Sequence, residues 1–290
     1  MRHVAIRILL LSAVLGLLNA CTMGQITVRA SLPMIEGGIE AMNRETDLEM
    51  AKAAIPANLG MLEGMLVKDP ENGQLHEYAA QGYYGFSYGF VEDEDRRRAS
   101  GLYYRGFLHG RAALAEQNLS AELLDGHLQP LREALAQLDE DAVPALFWTA
   151  SNWAKWIDMN RDRAESLAQM PKAALLMQRV LELDERYFLS SAHLFFGVYY
   201  GGRSPMMGGN LALAEAHFDK ARAQNGNRLL IVDLLQAQYL ERQRFDRAAF
   251  HRYLQKILAA PDDLYPAQGL INAIAKRKAL ELLKREDEWF

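Results

Sequence analysis

The first residue whose surroundings suggest chemistry is Ser87, which stands between glycines in Gly85-Phe86-Ser87-Tyr88-Gly89. This G-x-S-x-G spacing is that of a serine nucleophile held on a tight strand-to-helix turn, which exposes its hydroxyl. Here the surrounding residues have the periodicity of one continuous helix, and no strand pattern precedes them. We therefore interpret the small residues as places where a second helix approaches closely: Gly82, Gly85 and Gly89 here, and Gly106 and Gly110 on the next helix.

The seven histidines offer no recognisable metal-binding pattern. None has the H-E-x-x-H spacing or another metal-ligand spacing, and we expect His193 and His217 to be packed or surface residues on helices. The glycines of 201–209 lack the G-x-x-x-x-G-K-[ST] order of a phosphate-binding loop. We predict no catalytic residue, no metal and no cofactor, and a protein that is not an enzyme.

The strongest chemical signal is a set of aromatic residues accompanied by one amide and one arginine on three predicted helices: Trp148, Asn152, Trp156, Phe195, Tyr199, Arg203 and Tyr239. The first three are spaced by four residues and share one helix face. Such residues suit an apolar ligand cleft with few polar contacts, in which Arg203 would hold an anion or a carboxylate. The alternative is that the rings are plain core packing between helices.

Helical periodicity dominates the chain, and almost no segment alternates with period two. The predicted helices span 46–67 with a bend or break at Pro56, 75–91, 93–117, 121–138, 143–159, 161–168, 171–183, 188–200, 210–224, 228–241, 246–259 and 267–288. Asn210 and Asp246 are placed to cap helix starts, 225–227 to end a helix, and Pro171 suits a first turn. We interpret the charged run 92–98 as a solvated turn at a helix junction, with a docking patch as the alternative.

Four stretches repeat the same order of features, namely an apolar helical stripe, a polar terminator and then another helix. They begin near residues 61, 172, 211 and 248, and each resembles the second helix of a tetratricopeptide repeat. Ala214, Phe218 and Ala221 occupy the small, aromatic and small positions of that repeat. Stacked hairpins bury faces that no single pair buries alone. We predict an all-α fold of about four degenerate tetratricopeptide-like hairpins in a curved or closed stack.

The amino-terminal residues predict export. Arg2 and Arg7 flank the start of an apolar stretch over 8–18, followed by small residues, which is the pattern of a secretory signal; the stretch is too short to span a hydrocarbon core of ~30 Å. Leu18-Asn19-Ala20-Cys21 resembles the lipobox of bacterial lipoproteins, which implies a lipid-modified Cys21. An ordinary signal peptide with a coincidental cysteine, or a buried thiol, is the alternative.

These observations divide the chain into a lipoprotein signal peptide over 1–20, a lipidated linker over 21–43 and a single helical domain over 44–290. Two acyl chains on Cys21 make a stable membrane anchor, and Thr22 favours, by analogy, the inner leaflet of the outer membrane. The net charge of −5 gives no basic surplus that would favour nucleic-acid binding, and none is predicted. Cys21 is the single cysteine, so no disulfide is available within the chain.

Three segments carry a resemblance to a known family: 145–157 with its tryptophans, 193–221 with the S-P-x-x-G-G loop and the A-x-x-H-F helix, and the closing 273–290. Together they closely resemble the TatT family, the T component of tripartite ATP-independent periplasmic (TRAP) transporters, over about 44–290. The resemblance implies a periplasmic lipoprotein of degenerate tetratricopeptide fold. It implies association with a soluble TRAP-type solute receptor and help in delivering a partly apolar, acidic ligand, and it transfers no catalytic set. Gly201-Gly202-Arg203 is more glycine-rich than the family pattern.

The predicted function is therefore binding. A cleft between helical repeats admits an apolar ligand, and Arg203 and the following loop hold the anionic head of that ligand. The concave face or the same loop contacts the receptor. The residues of this loop are Ser204, Pro205, Gly208 and Gly209. The alternative is a general envelope scaffold that uses the repeat stack to bind proteins. Whether the chain forms a homo-oligomer is left open.

Overall fold

The computed structural model describes residues 23–290, and this part of the chain is helical with no β-strand. The predicted signal peptide and the lipidated Cys21 lie outside the described residues. None of the described helices combines the length and the apolar character required to cross a bilayer. The prediction of an all-α fold is confirmed.

The helices are numbered here in chain order. They are α1 Met23–Ala30, α2 Leu32–Arg44, α3 Leu48–Leu66, α4 Gly73–Phe86, α5 Arg96–Glu116, α6 Ala121–Asp125, α7 Leu128–Leu135, α8 Val143–Met159, α9 Ala164–Leu167, α10 Met170–Leu183, α11 Tyr187–Gly201, α12 Leu211–Gln224, α13 Leu230–Leu235, α14 Arg242–Arg244, α15 Arg247–Ala259 and α16 Gly269–Lys284. Two π turns continue helices without a loop, Ser87–Val91 after α4 and Gln236–Glu241 after α13.

The caps that were predicted from sequence form as hydrogen bonds. The Asn210 side chain accepts from the Leu213 amide at 3.0 Å, and the Asp246 side chain accepts from the Ala249 amide at 2.9 Å. Such bonds satisfy amide groups that a helix start leaves without partners. Pro171 lies in the first turn of α10, and Asn227 adopts the left-handed conformation after α12. The sequence predicted a bend or break at Pro56, and the structure has no break there, because α3 continues through this residue.

Where a linker was predicted over 21–43, the structure has α1 and α2. These helices are attached to the rest of the chain at two places. Arg29 in α1 pairs with the buried Asp69 at 2.9 Å, and α2 packs against α16. Both helices have an amphipathic sequence pattern, although a linker was predicted here. Val28 is the buried residue of α1 and Ile35 that of α2, so most of their side chains are at least partly exposed.

The helices pack mainly against neighbours in the chain. Helix α5 lies between α4 and α8, α8 packs on α10, and α11 pairs with α12. Gly110 lets α5 and α8 approach closely, because a Cβ there would lie 2.8 Å from the Thr149 Cα. Gly197 does the same between α11 and α12, where a Cβ would meet the Phe218 ring at 2.7 Å. Side chains of the core form two clusters, one around α5, α8 and α10, and one around α3, α13, α15 and α16.

Candidate ligand-binding cavity

A cavity of about 1520 Å³ lies where the two core clusters meet. Its wall is contributed by α2, α3, α4, α8, α11, the π turn after α13, and α16. Pockets for small molecules are typically ~300–1000 Å³, so this space is large enough for an extended or bulky ligand. Most of the polar side chains of the cavity wall that are described below belong to helix α8 or to residues around the two π turns.

The apolar part of the wall is centred on Trp148 in α8. Its ring lies 5.8 Å from the Tyr84 ring, 4.8 Å from Phe147 and 4.7 Å from Phe188. Aromatic pairs at these separations pack favourably in tilted or edge-on arrangements. The indole is itself only 3% exposed, so it forms a firm wall instead of a mobile flap.

Phe188 reaches this wall through an unusual turn at the start of α11. Phe188, Leu189 and Ser190 all have positive φ, at 44°, 61° and 61°. Three successive non-glycine residues in the left-handed region cost on the order of 1–2 kcal/mol each. The side-chain amide of Asn225 donates to the Leu189 carbonyl at 2.7 Å and helps to hold the turn. Phe188 and Leu189 both line the cavity.

Arg203 lies at the exit of α11, against the next aromatic pair. Its guanidinium carbon is 3.7 Å from the centre of the Tyr199 ring, and Nη1 donates to the Tyr199 carbonyl at 3.1 Å. The Tyr199 ring stacks on Phe195 at 6.2 Å. Burial lowers the pKa of Arg203, yet a guanidinium stays protonated at any physiological pH. Arg203 is thus a fixed positive charge in the cavity wall.

The loop after Arg203 is short and exposed. Pro205–Met207 forms one 3₁₀ turn, and Gly208 ends it with a φ of 85°, a conformation that favours glycine. Ser204 and Met207 line the cavity. Met206 is 98% exposed and Met207 is 61% exposed. The loop therefore presents two methionines to the outside, directly beside the cavity.

A buried ion cluster forms another part of the wall. The Lys155 ammonium lies 2.6 Å from Oε2 of Glu92, the Lys278 ammonium lies 3.2 Å from Oε1, and the Tyr103 hydroxyl donates to Oε2 at 2.6 Å. Lys278 also pairs with Asp93 at 2.6 Å. Glu92, the first residue of the charged run, is therefore largely shielded, with 10% of its side chain exposed, whereas 93–98 are exposed as the predicted turn requires.

The charges of this cluster stabilise one another. Burial acts to raise the pKa of Glu92, but the ammonium groups of Lys155 and Lys278 outweigh it and hold the pKa below its usual value. Burial acts to lower the pKa of Lys155, but the Glu92 carboxylate outweighs it and raises the pKa. Both groups are therefore charged at neutral pH. Glu92 and Lys155 line the cavity, and Lys278 lies behind them.

Three tyrosines surround the cavity side of this cluster. Tyr84 and Tyr88 stack with ring centres 6.3 Å apart, and Tyr239 faces the cavity from the second π turn. Burial raises the pKa of Tyr84 to about 12, and it also raises the pKa of Tyr88 and of Tyr239. All three phenols therefore stay protonated near neutral pH and keep a hydrogen to donate.

The structure brings together most of the residues that sequence analysis selected for ligand binding. Those that line the cavity are Trp148, Phe195, Tyr199, Arg203 and Tyr239, together with Ser204 of the loop. Pro205, Gly208 and Gly209 lie in the loop outside the lining. No ligand contact is tested by this placement, and the binding role of these residues stays a prediction.

Asn152 and Trp156 lie elsewhere, although they share a helix with Trp148. The Asn152 amide donates to the carbonyls of Ala80 at 3.0 Å and of Trp148 at 2.9 Å, and the residue is fully buried against α5. Trp156 lies 5.4 Å from the Tyr104 ring in a small pocket of about 300 Å³ on another side of α8. The spacing of four residues drifts around the helix, so the three residues do not face the same neighbour.

Lys155, Glu92, Tyr84 and Tyr88 were not selected from the sequence. A lysine next to Trp156 and a glutamate in a charged run are typical of solvated helix faces, and nothing local marks them as buried. The signal that was available is the concentration of tyrosines in 83–88, to which no role was assigned.

The remaining motifs have structural surroundings. Ser87 is completely buried, and its hydroxyl donates to the Tyr83 carbonyl at 2.6 Å within the π turn. His193 and His217 contact each other through Nδ1 atoms 2.9 Å apart across α11 and α12. Over residues 23–290, no three histidine, cysteine or acidic side chains are close enough to hold a metal ion.

The chain matches one family model. Residues 44–290 match the model described as TAtT, TRAP transporter T-component. No curated protein matches the chain. The match covers the helices from the end of α2 to the carboxyl terminus, and so includes every cavity-lining side chain discussed above except those contributed by the first part of α2.

Proposed function

This chain belongs to the TRAP transporter T-component family, and from that premise we propose that it binds a partly apolar, acidic ligand and works with a TRAP-type solute receptor. A component of such a transporter acts at the bacterial cell envelope. The ligand would occupy the cavity of about 1520 Å³. The receptor would take the ligand from this cavity or deliver the ligand to it.

The observation that carries the proposal is a large cavity whose aromatic wall also holds cations. Trp148, Phe195 and Tyr199 offer apolar ring surface, while Lys155 and Arg203 offer positive charge at low solvent exposure. Apolar contact provides most of the affinity for such a ligand, and a buried cation selects for a negative group. A cavity of this composition suits an organic acid with an apolar body.

The exposed methionines support the predicted contact with a receptor. Met206 and Met207 project from the loop that also places Ser204 at the cavity. Methionine adapts its shape to a partner surface and is common at binding surfaces. A receptor that docks on this loop would lie directly beside the ligand.

Attachment to a membrane through Cys21 remains part of the proposal. The lipobox-like sequence before it supports a diacylglycerol anchor, and the inner leaflet of the outer membrane is the expected location. Mass spectrometry of the protein from its native host tests this, because Cys21→Ala would remove the added lipid mass. Unmodified protein in the soluble periplasmic fraction would contradict the anchor.

Ligand binding is tested with the protein purified from its native host. We expect a partly apolar acid to co-purify, to be identified by mass spectrometry, and to be displaced by anilinonaphthalene sulfonate, an apolar anionic fluorophore. Trp148→Ala should weaken probe binding by about tenfold or more, since one buried aromatic contact is worth over ~1.4 kcal/mol. Phe195→Ala provides a second variant in case the first fails to fold.

Trp156→Ala is the matched control, because it removes an indole from the same helix outside the cavity. It should leave probe affinity unchanged. Equal losses in the Trp148 and Trp156 variants, or the absence of any bound acid and of probe binding, would reject the cavity as the ligand site.

Receptor binding is tested separately. Met206→Ser should weaken binding of a purified TRAP-type solute receptor in surface plasmon resonance, because it removes an exposed apolar anchor from the loop. Met50→Ser is the control, since Met50 is also exposed, at 58%, but lies on α3. The same affinity for both variants would argue against docking on this loop.

A further inference from the structure

We propose that the hydroxyls of Tyr84, Tyr88 and Tyr239, together with the ammonium of Lys155, form a binding site for the carboxylate of an apolar monocarboxylic acid. This rests on the proposed function and assigns the position of the ligand's head within the same cavity. The sequence had suggested Arg203 for that role.

The first argument is the convergence of the three phenols. Tyr84 belongs to the last turns of α4, Tyr88 follows one turn later in the first π turn, and Tyr239 lies in the second π turn. All three residues line the cavity, as does Lys155, whose ammonium nitrogen lies 5.4 Å from the centre of the Tyr88 ring. A π turn inserts a residue into a helix and redirects the side chains around it, and such turns occur often at functional sites.

The second argument is that these hydroxyls have no acceptor. The Tyr88 hydroxyl is buried and has no hydrogen-bond partner, and for Tyr84 and Tyr239 there is no hydrogen bond from the phenol to any residue of 23–290. A buried donor left without an acceptor costs about 1–3 kcal/mol. That cost applies to the Tyr88 hydroxyl. Tyr84 and Tyr239 are half-buried, and their hydroxyls are also free to donate, so a ligand carboxylate with two acceptor oxygens would complete this set of donors.

The third argument is that the fold already binds one carboxylate in this way. Glu92 is held by the Lys155 and Lys278 ammonium groups and by the Tyr103 hydroxyl. A ligand carboxylate on the cavity side of Lys155 would find the same kinds of donor. These are the Lys155 ammonium, which it would share with Glu92, and the phenol hydroxyls of the other tyrosines. The Lys155 side chain retains 17% exposure, and Lys155 is a lining residue, so its free N–H groups are accessible from the cavity.

Neighbouring acids do not repel a further anion strongly. Glu92 and Asp93 are balanced by Lys155 and Lys278, which pair with them at 3.2 Å or less, and Asp158 pairs with Arg161. Arg203 differs, because its guanidinium already donates to the Tyr199 carbonyl and covers the Tyr199 ring. The guanidinium is thereby held against Tyr199, and because it keeps further N–H groups, Arg203 is the competing site for the head, which a variant at that position tests.

The experiment compares dansyl-labelled undecanoic acid with its methyl ester, which keeps the apolar body and loses the charge. We expect the purified protein to bind the acid at least tenfold more tightly than the ester. Tyr88→Phe, Tyr239→Phe and the double variant should reduce acid affinity about tenfold for each hydroxyl, as expected for hydrogen bonds to a charged group, and should leave ester affinity unchanged. Fluorescence titration measures both.

Two further variants complete the test. Tyr200→Phe is the matched control, because Tyr200 lies outside the cavity lining, and it should change neither affinity. Lys155→Gln should lose the preference for the acid; if this variant fails to fold, the phenylalanine variants carry the test alone, since they remove hydroxyls that have no partner in the protein.

The outcomes separate the two proposals. The carboxylate site would be overturned if the unmodified protein bound the acid and the ester equally tightly. It would also be overturned if Tyr88→Phe and Tyr239→Phe reduced the affinities for acid and ester by the same factor. Either result would leave an apolar cavity in place. Loss of the acid preference in Arg203→Gln, with no change in the tyrosine variants, would place the head at Arg203 and overturn the assignment. If neither probe binds, the proposed function fails as well.

Discussion

Two sides of helix α8 have similar kinds of residues and opposite surroundings. On the packed side, Thr149, Asn152 and Trp153 press against α5 and α10, and Trp153 is 1% exposed. On the other side, Trp148 and Lys155 line the cavity. Aromatic and polar side chains occur on both, so the residue types do not decide which side is hollow. The difference is whether the neighbouring helix is close enough to fill the space.

Glycine positions show how that distance is set. At Gly106 and Gly110 the helices touch, because an added Cβ at either would collide with Asn152 or Thr149 of α8. At Gly85, which lines the cavity, an added Cβ would meet nothing within 4 Å. Close approach of α4, α5 and α8 makes one half of the molecule solid. On the other side of α8, where the cavity lies, Glu92 connects α8 and α16 through its ion pairs with Lys155 and Lys278.

The largest expected effect is on the packed side of α8. Trp153→Ala should lower the free energy of unfolding by about 3–5 kcal/mol, because it leaves a cavity among fully buried neighbours. Tyr199→Ala, which removes a half-buried ring from the cavity wall, should cost clearly less. Urea denaturation measures both. Equal costs would mean that the two sides of α8 do not differ in packing as described.

The next effect compares two glycine-to-alanine substitutions. Gly110→Ala should lower the free energy of unfolding by about 1–3 kcal/mol, because the new methyl group overpacks the contact with the α8 backbone. Gly85→Ala should raise it by about 0.5–1 kcal/mol, because alanine favours the helix and the space is free. Thermal unfolding distinguishes the two signs. A loss in both variants would contradict the open space at Gly85.

A smaller effect is expected from pH at the packed hairpin of α11 and α12. Burial, followed by the nearby His193 and Lys220, lowers the pKa of His217 to about 4, compared with about 6.5 for a free histidine. The unfolded chain therefore takes up a proton between pH ~6.5 and ~4 that the folded chain resists. The free energy of unfolding should fall as the pH is lowered through this range.

His217→Gln should make that decrease shallower without removing it, since the pKa values of His193 and His109 are also lowered. His127→Gln, at an exposed position, serves as control and should leave the pH dependence unchanged. Urea denaturation at a series of pH values provides the measurement. An unchanged slope in the His217 variant would show that this pair does not affect stability.

Tyr88→Phe should change the free energy of unfolding least among these variants. The sign of this change should be opposite to that of most core substitutions. Its hydroxyl is buried without a partner, so removing it should leave the free energy of unfolding unchanged or raise it by up to about 1 kcal/mol. Tyr103→Phe is the comparison, because the Tyr103 hydroxyl donates to Glu92 at 2.6 Å, and its loss should destabilise the protein. A clear loss in the Tyr88 variant would indicate that its hydroxyl has a partner in solution.

Local physics made much of the helical layout predictable. Helix α8 was predicted over 143–159 and forms as Val143–Met159, because its residues are largely apolar and Pro144 fits its first turn. Asn210 and Asp246 cap as expected, since an N-cap depends only on residues within the first turn. The family was recognisable for the same reason, because its motifs are short stretches of sequence. Helices α1 and α2 escaped prediction because their stability depends on contacts with residues distant in the chain, among them the Arg29–Asp69 pair.

The cavity depended on tertiary packing. Sequence identified Trp148, Phe195, Tyr199, Arg203 and Tyr239 as a set, and the structure places them around one space. The two π turns, the burial of Glu92 and the position of Lys155 depend on where α16 and α13 dock, which no local pattern records. Periodicity gives the face of a helix on which a residue lies. It does not give the distance to the next helix, and that distance makes the same aromatic residues a filled core on one side of α8 and a cavity wall on the other.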